Sequence, residues 1–167
     1  EIILSTMKKA LSPQEAYEKA AAYCVRREHC LKDVQHKLYE WGVERNLWDS
    51  ILDKLIERSF IDEARFARAF ARDKHLYSAW GRVRIKQELK ARGLSSALIE
   101  QALNELFDEY EEDEQLMRTL ESKMRSLKAQ DPEHKKREQL VRFAMYRGYP
   151  YDSIRKALSK MQLGELD

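Results

Sequence analysis

The sequence predicts an all-α fold of three tandem three-helix repeats, strung into an elongated, curved array. Three observations predict it. Only 5 Gly and 3 Pro occur in 167 residues, too few for a many-stranded β fold, which needs a turn signal about every ten residues. Ala, Leu, Glu, Lys and Arg, the better helix formers, are abundant. Aligned on Gly42, Gly93 and Gly148, the chain also repeats its apolar pattern without a gap.

The elements follow in order. Ser12-Pro13-Gln14-Glu15 opens the first helix, with Ser12 as cap, Pro13 at the first helical position and Glu15 completing a capping box. Val34 and Leu38 mark the second helix, which a left-handed Gly42 ends. Trp48, Ile51, Leu52 and Leu55 lie on one face of the third, their spacings of three, one and three being helical. In the second repeat Asp62 is the cap and Phe66, Phe70 and Leu76 form the buried stripe. Ile85 and Leu89 precede Gly93, and Ile99, Ala102, Leu103 and Leu106 follow it. In the third, Met117, Leu120, Met124 and Leu127 form the first stripe, ended at Asp131-Pro132, with Pro132 at the first position of the next helix. Leu140 and Ala144 then precede Gly148, and Ile154, Ala157, Leu158 and Met161 close the pattern. The repeats are drawn at residues 12–60, 61–110 and 111–164. Units of about 50 residues are marginal alone, so neighbours are expected to lean on one another.

A net charge of +2 hides strong segregation. Residues 65–92 carry nine Lys and Arg against two acids, residues 100–114 carry eight acids and no base, and residues 118–160 carry twelve bases against five acids. Such a chain can present a basic surface to an anionic partner. No constellation meets the needs of catalysis. His29, His36, His75 and His134 lack zinc-helix spacing, and they read as surface imidazoles. Cys24 and Cys30 are too few and too close for a disulfide framework or zinc site and read as reduced structural thiols, pointing to a cytoplasmic location. The acids at Glu109, Glu111, Glu112, Asp113 and Glu114 lack the alternation and glycine of a calcium loop. The expectation is a non-enzyme with no cofactor and no metal. No apolar run approaches a membrane span. The chain opens at Glu1 rather than Met, which points to a short preceding piece.

The basic block has a helical arrangement. Arg65, Arg68 and Arg72 share one helix face, beside the Phe66–Phe70 stripe, and Arg82, Lys86 and Lys90 recur every four residues on the next helix. With Lys74, Arg84 and Arg92 they can pool up to nine cations on one surface, with only Asp73 and Glu88 nearby in sequence. Were the partner DNA, each phosphate contact would add a salt slope of about 0.9. Asp62 and Gly81 read as structural, a cap and a tight turn; Trp80 reads as core or contact.

Over roughly residues 23–103 the chain resembles the RecX family of regulatory proteins. Arg26-Arg27-Glu28-His29-Cys30, before Val34 and Lys37-Leu38, resembles the Arg-x-(x)-Ser segment that opens the family's second helix, with Cys30 in place of the capping serine. Phe60-Ile61-Asp62-Glu63 with Arg65-Phe66-Ala67 resembles its hydrophobic-Asp-Asp/Glu-x-Arg-Phe-Ala stretch. Gly81-Arg82 through Ile85, Glu88-Leu89 and Gly93 resembles its Gly-x-x-x-Ile-x-x-Glu-Leu-x-x-x-Gly pattern. The third repeat rests mostly on the internal alignment.

The resemblance implies tandem three-helix repeats and a role in regulating DNA repair, homologous recombination and the SOS response. It implies binding to a RecA-type recombinase filament on single-stranded DNA, with limits on its ATPase, strand exchange and growth, and weak non-specific contact with the DNA. The reading is of a monomer. The contact face is then Arg65, Arg68, Arg72, Lys74, Arg82, Arg84, Lys86, Lys90 and Arg92. Two other readings stand beside it. A free-standing DNA-binding module is disfavoured because the recognition-helix candidate Ser96–Leu106 carries Glu100 and Glu105 and no base. In a scaffold, residues 100–114 would pair with the basic block of a neighbouring copy.

Overall fold

The computed structural model describes residues 9–163. Among them are nine helices and no strand: α1 (Pro13–Arg26), α2 (Leu31–Glu40), α3 (Arg45–Glu57), α4 (Glu63–Ser78), α5 (Arg82–Ala91), α6 (Ser96–Glu109), α7 (Glu112–Ser126), α8 (Glu133–Arg147) and α9 (Tyr151–Lys160). They form two compact units, residues 1–66 and 67–167, the division falling in the first turn of α4. Residue 164, the predicted end of the third repeat, and Glu1 lie outside the described residues.

The three glycines sit where the alignment puts them. Gly42, Gly93 and Gly148 have φ of +71°, +82° and +91°, a region closed to most residues by the β-carbon. Each ends the middle helix of its trio. The aligned apolar residues are buried behind them: Trp48, Ile51, Leu52 and Leu55; Ile99, Ala102, Leu103 and Leu106; Ile154, Ala157 and Leu158. A fully buried Leu or Ile contributes about 1.5–3 kcal/mol, and the first and third trios each hold a hydrophobic cluster of their own. Met161 is half-buried just past the end of α9.

The first unit is held by helix caps, most of them in the stretches that carry the family resemblance. Ser12 Oγ accepts the Glu15 N–H at 3.1 Å and Glu15 accepts the Ser12 N–H, so the capping box is complete. Cys30 starts α2, where Asp33 Oδ2 accepts its N–H at 3.2 Å. Ile61 is buried in the core of this unit. Asp62 Oδ1 caps α4 by accepting the Arg65 N–H at 3.0 Å. Glu63 accepts a backbone N–H from Leu31 at the start of α2, and burial raises its carboxyl above the usual carboxylate range.

Two expected stripes are shifted. On α4 the buried line runs through Phe66, Ala67, Ala71 and His75, while Phe70 and Leu76 are only half-buried. Alanines let neighbouring helices approach closely, and the larger side chains then flank that approach. On α7 the buried line is Leu116 and Leu120, with Met117, Met124 and Leu127 packed partly against it. That helix stops at Ser126, five residues before Asp131, and Pro132 serves as the N-cap of α8 rather than its first residue. The extended Leu127, whose N–H is taken by Met124 O, breaks the helix so that its side chain can reach the core.

His29 and His75 are not surface imidazoles. His75 is 1% exposed, its Nδ1 lies 2.8 Å from Trp80 O, and its ring meets the edge of Phe107. His29 stacks on Tyr23 at 3.8 Å, and burial pushes its imidazole below the usual range. Cys24 and Cys30 are free, and burial pushes both thiols up to about 11, which leaves them as thiols at neutral pH.

Candidate partner-binding surface

The second unit contains an unusual joint. The N-terminus of α5 abuts the C-terminus of α8, so that the orphan donors of one helix meet the orphan acceptors of the other. Gly81 N–H donates to Arg147 O at 2.8 Å and Val83 N–H to Gly148 O at 2.9 Å. Between them, Arg82 N–H donates to Glu112 Oε2 at 2.9 Å. The opposed partial charges of the two helix ends add to the attraction. The approach is so close that a β-carbon on Gly81 would stand 2.6 Å from Gly148 O, and one on Gly148 would overlap Arg84. Gly81 therefore serves contact rather than a tight turn. Its φ is an ordinary −87°, and it is Ala79 that bends the chain, at φ +55°. Ala79 is held there by Tyr149, whose hydroxyl donates to Ala79 O at 2.8 Å. Burial raises that phenol to about 12, so the proton stays in place. Arg147 donates to Ser78 O and Gln115 to His75 O, completing the clamp on the α4–α5 turn.

The nine cations singled out in the sequence fall into distinct settings. Lys74, Arg84 and Arg92 cluster on the rings of Phe70 and Trp80, at the α4–α5 turn. The Arg84 guanidinium lies 4.0 Å from the Trp80 ring and 4.7 Å from that of Tyr146, which is 70% exposed. Lys74 Nζ lies 4.9 Å from Trp80, and Arg92 lies 4.6 Å from Phe70 and pairs with Glu88 at 3.0 Å. Trp80 is half-buried, packing edge-on against Phe70 while Lys74 and Arg84 lie over its ring. Tyr146 was not foreseen; only its place two residues before Gly148 marked it.

The other cations are placed elsewhere. Arg65 belongs to the first unit, where it pairs with Glu28 at 2.6 Å and donates to Ser59 O, closing the end of α3. Arg82 is bound to Glu112, whose side chain is 7% exposed, and lies over Phe107. Arg68 and Arg72 face α6, pairing with Glu105 at 3.8 Å and Glu109 at 3.3 Å. Lys86 reaches α6 from the other side, 3.1 Å from Glu100. Lys90 is exposed and makes no ion pair with the described residues. Acids scarce in the neighbouring sequence are thus supplied by the fold. The stretch that could have paired with another copy spends Glu100, Glu105, Glu109 and Glu112 within the chain.

Among the described residues no group of three or more His, Cys, Asp or Glu could hold a metal ion. No helix among them is long and apolar enough to cross a membrane.

Comparison with known proteins agrees with this architecture. Residues 62–103 match the family described as "RecX, second three-helix domain", and residues 110–158 match "RecX, third three-helix domain". The likeness thus extends into the trio that, in sequence, rested on the internal alignment. The chain is 37% identical over 140 residues to "Regulatory protein RecX" of Pseudomonas putida (strain GB-1), covering 84% of this chain and 86% of that protein. It is 34% identical over 149 residues to the protein of the same name from Vibrio parahaemolyticus serotype O3:K6, covering 89% and 91%. Among solved structures it resembles "Crystal structure of RecX from Lactobacillus salivarius", with a TM-score of 0.78 at 22% identity over 91% of this chain and 97% of that one. A second, "Crystal structure of regulatory protein RecX", gives a TM-score of 0.80 at 20% identity over 89% and 73%. Those structures speak for the fold, and the sequence relatives for the family. The chain belongs to the RecX family of regulatory proteins.

Proposed function

We propose that this protein regulates a RecA-type recombinase by binding its filament on single-stranded DNA and lowering the filament's ATPase and strand-exchange activity, in the cytoplasm and as a monomer. The observation that carries this reading is the cluster of Lys74, Arg84 and Arg92 on the rings of Phe70, Trp80 and Tyr146. Cations alternating with aromatic rings are what a single strand needs, since phosphates take the charges and bases stack on rings. A duplex reader would instead need a basic helix to enter the major groove; α6, the candidate for that role, carries Glu100, Glu105 and Glu109 and no base. Arg65 is a proposed contact of the first unit, and the eight cations of the second unit, Arg68 to Arg92, remain the proposed contact set. Within it, Lys74, Arg84 and Arg92 are the proposed centre.

The test is single-stranded-DNA-dependent ATP hydrolysis by the cognate recombinase, with this protein added well below one copy per recombinase subunit. Suppression is the expected result. The K74A/R84A/R92A variant should need at least fivefold more protein for the same suppression, its circular dichroism being unchanged. Absence of suppression by the folded wild-type protein would overturn the reading.

A further inference from the structure

The ion pairs that join different helices of the second unit are of two kinds. Arg82–Glu112 is locked: the carboxylate is nearly buried and also accepts a backbone N–H. The three pairs made by α6 differ. Lys86–Glu100, Arg68–Glu105 and Arg72–Glu109 join side chains that are all 45–56% exposed, at 3.1, 3.8 and 3.3 Å. Exposed pairs of this kind are weak and exchange readily. At 3.6 residues per turn, Glu100 and Glu105 lie about 140° apart around α6. The helix therefore meets the cations of α5 on one flank and those of α4 on the other.

A guanidinium or ammonium presents to a carboxylate the same donors it presents to a phosphate. From this geometry we infer that Glu100, Glu105 and Glu109 are built-in competitors for the phosphates of single-stranded DNA. They occupy Lys86, Arg68 and Arg72 until a strand displaces them, and so lower affinity for bare DNA. The inference rests on the proposed function in taking the partner to be a single strand. The carboxylates reserve these cations for a strand already held in place by other contacts. The protein is thereby kept from spreading over any DNA it meets, since each uncovered cation would add sequence-independent affinity.

The experiment is fluorescence anisotropy of a labelled oligothymidylate, titrated with the whole chain over a range of salt. Three proteins are compared: wild type, E100Q/E105Q/E109Q, and E114Q/E121Q/E138Q. The last removes the same charge from exposed carboxylates that make no ion pair with the described residues. The first triple variant should bind at least tenfold tighter at about 50 mM salt, with a log–log salt slope steeper by about 2, since three freed cations each contribute about 0.7 on a single strand. The control triple should change both far less. Glutamine keeps the shape and helix propensity of glutamate, and the single variant E105Q should show about one third of the slope change. Equal tightening in both triples would mean a bulk-charge effect and overturn the inference, as would no tightening in either. Because no recombinase is present, this outcome is separate from the ATPase result. A gain in binding without suppression by wild type sinks the proposed function alone. Suppression without the gain sinks this inference alone.

Discussion

Replacing Gly148 with Ala lowers stability by about 4 kcal/mol, while the same change at Gly42 or Gly93 costs only about 1 kcal/mol. All three glycines have left-handed φ, so each Ala bears the strain of its β-carbon, ~1–2 kcal/mol, partly offset by a stiffer unfolded chain. The difference lies in the surroundings. A β-carbon at Gly42 or Gly93 meets nothing within 4 Å, whereas at Gly148 it overlaps the backbone and Cβ of Arg84. Relief of that overlap must move α5 away from α8. The Gly81–Arg147 and Val83–Gly148 hydrogen bonds are then lost, and two donors are left facing protein rather than water, at ~1–3 kcal/mol each. Thermal melts followed by circular dichroism should show a fall of roughly 15 °C for Gly148→Ala. A loss no greater than that of Gly42→Ala would mean that the joint bends without cost.

Glu112→Ala is the second large effect, a loss of about 3 kcal/mol in urea denaturation. The carboxylate accepts both the Arg82 N–H and the Arg82 Nε, at 2.9 and 3.1 Å, from an almost buried position. Its removal strands the first donor of α5 and leaves the guanidinium without a counter-charge. Because Arg82 is itself about half exposed, its head can recover some hydration, which keeps the loss at the lower end for buried pairs. Glu112→Gln retains an acceptor oxygen and should recover roughly half. If the Ala variant melts within 0.5 kcal/mol of wild type, roughly the scatter of neutral surface changes, then Glu112 is not what holds α5 to the third trio.

Much of the fold could be read in the chain because it is written in local pattern. Glycine ends and the three-one-three apolar spacing depend on contacts within a few residues, and they placed α2–α3, α5–α6 and α8–α9. The shifts came where bulk misleads. On α4, Phe70 and Leu76 are the conspicuous apolar residues, yet the tightest line is Ala67, Ala71 and His75. Alanine gives little hydrophobic signal, and a histidine that lies against a backbone carbonyl gives none. The site was legible as composition but not as arrangement. Nine cations in 28 residues suggested one surface; five of them instead pair with Glu28, Glu100, Glu105, Glu109 and Glu112, residues that periodicity alone cannot assign to a helix face opposite. Likewise, Gly81 and Gly148 were each identifiable as special, but nothing short of the fold brings them together.

The α5–α8 joint also bears on how the protein is made. Three of the contacts that fix the α4–α5 turn and the start of α5, Arg84–Tyr146, Arg147–Ser78 and Tyr149–Ala79, span 62 to 70 residues of chain. At ribosomal speeds of about 5–20 residues per second, that separation corresponds to roughly 3–14 s of synthesis. During this interval the N–H groups of Gly81 and Val83 lack their acceptors on α8, and Ala79 has no hydroxyl to hold its bend. The α4–α5 turn and its basic cluster therefore gain their last contacts only once the stretch Tyr146–Tyr149 has been made, late in translation.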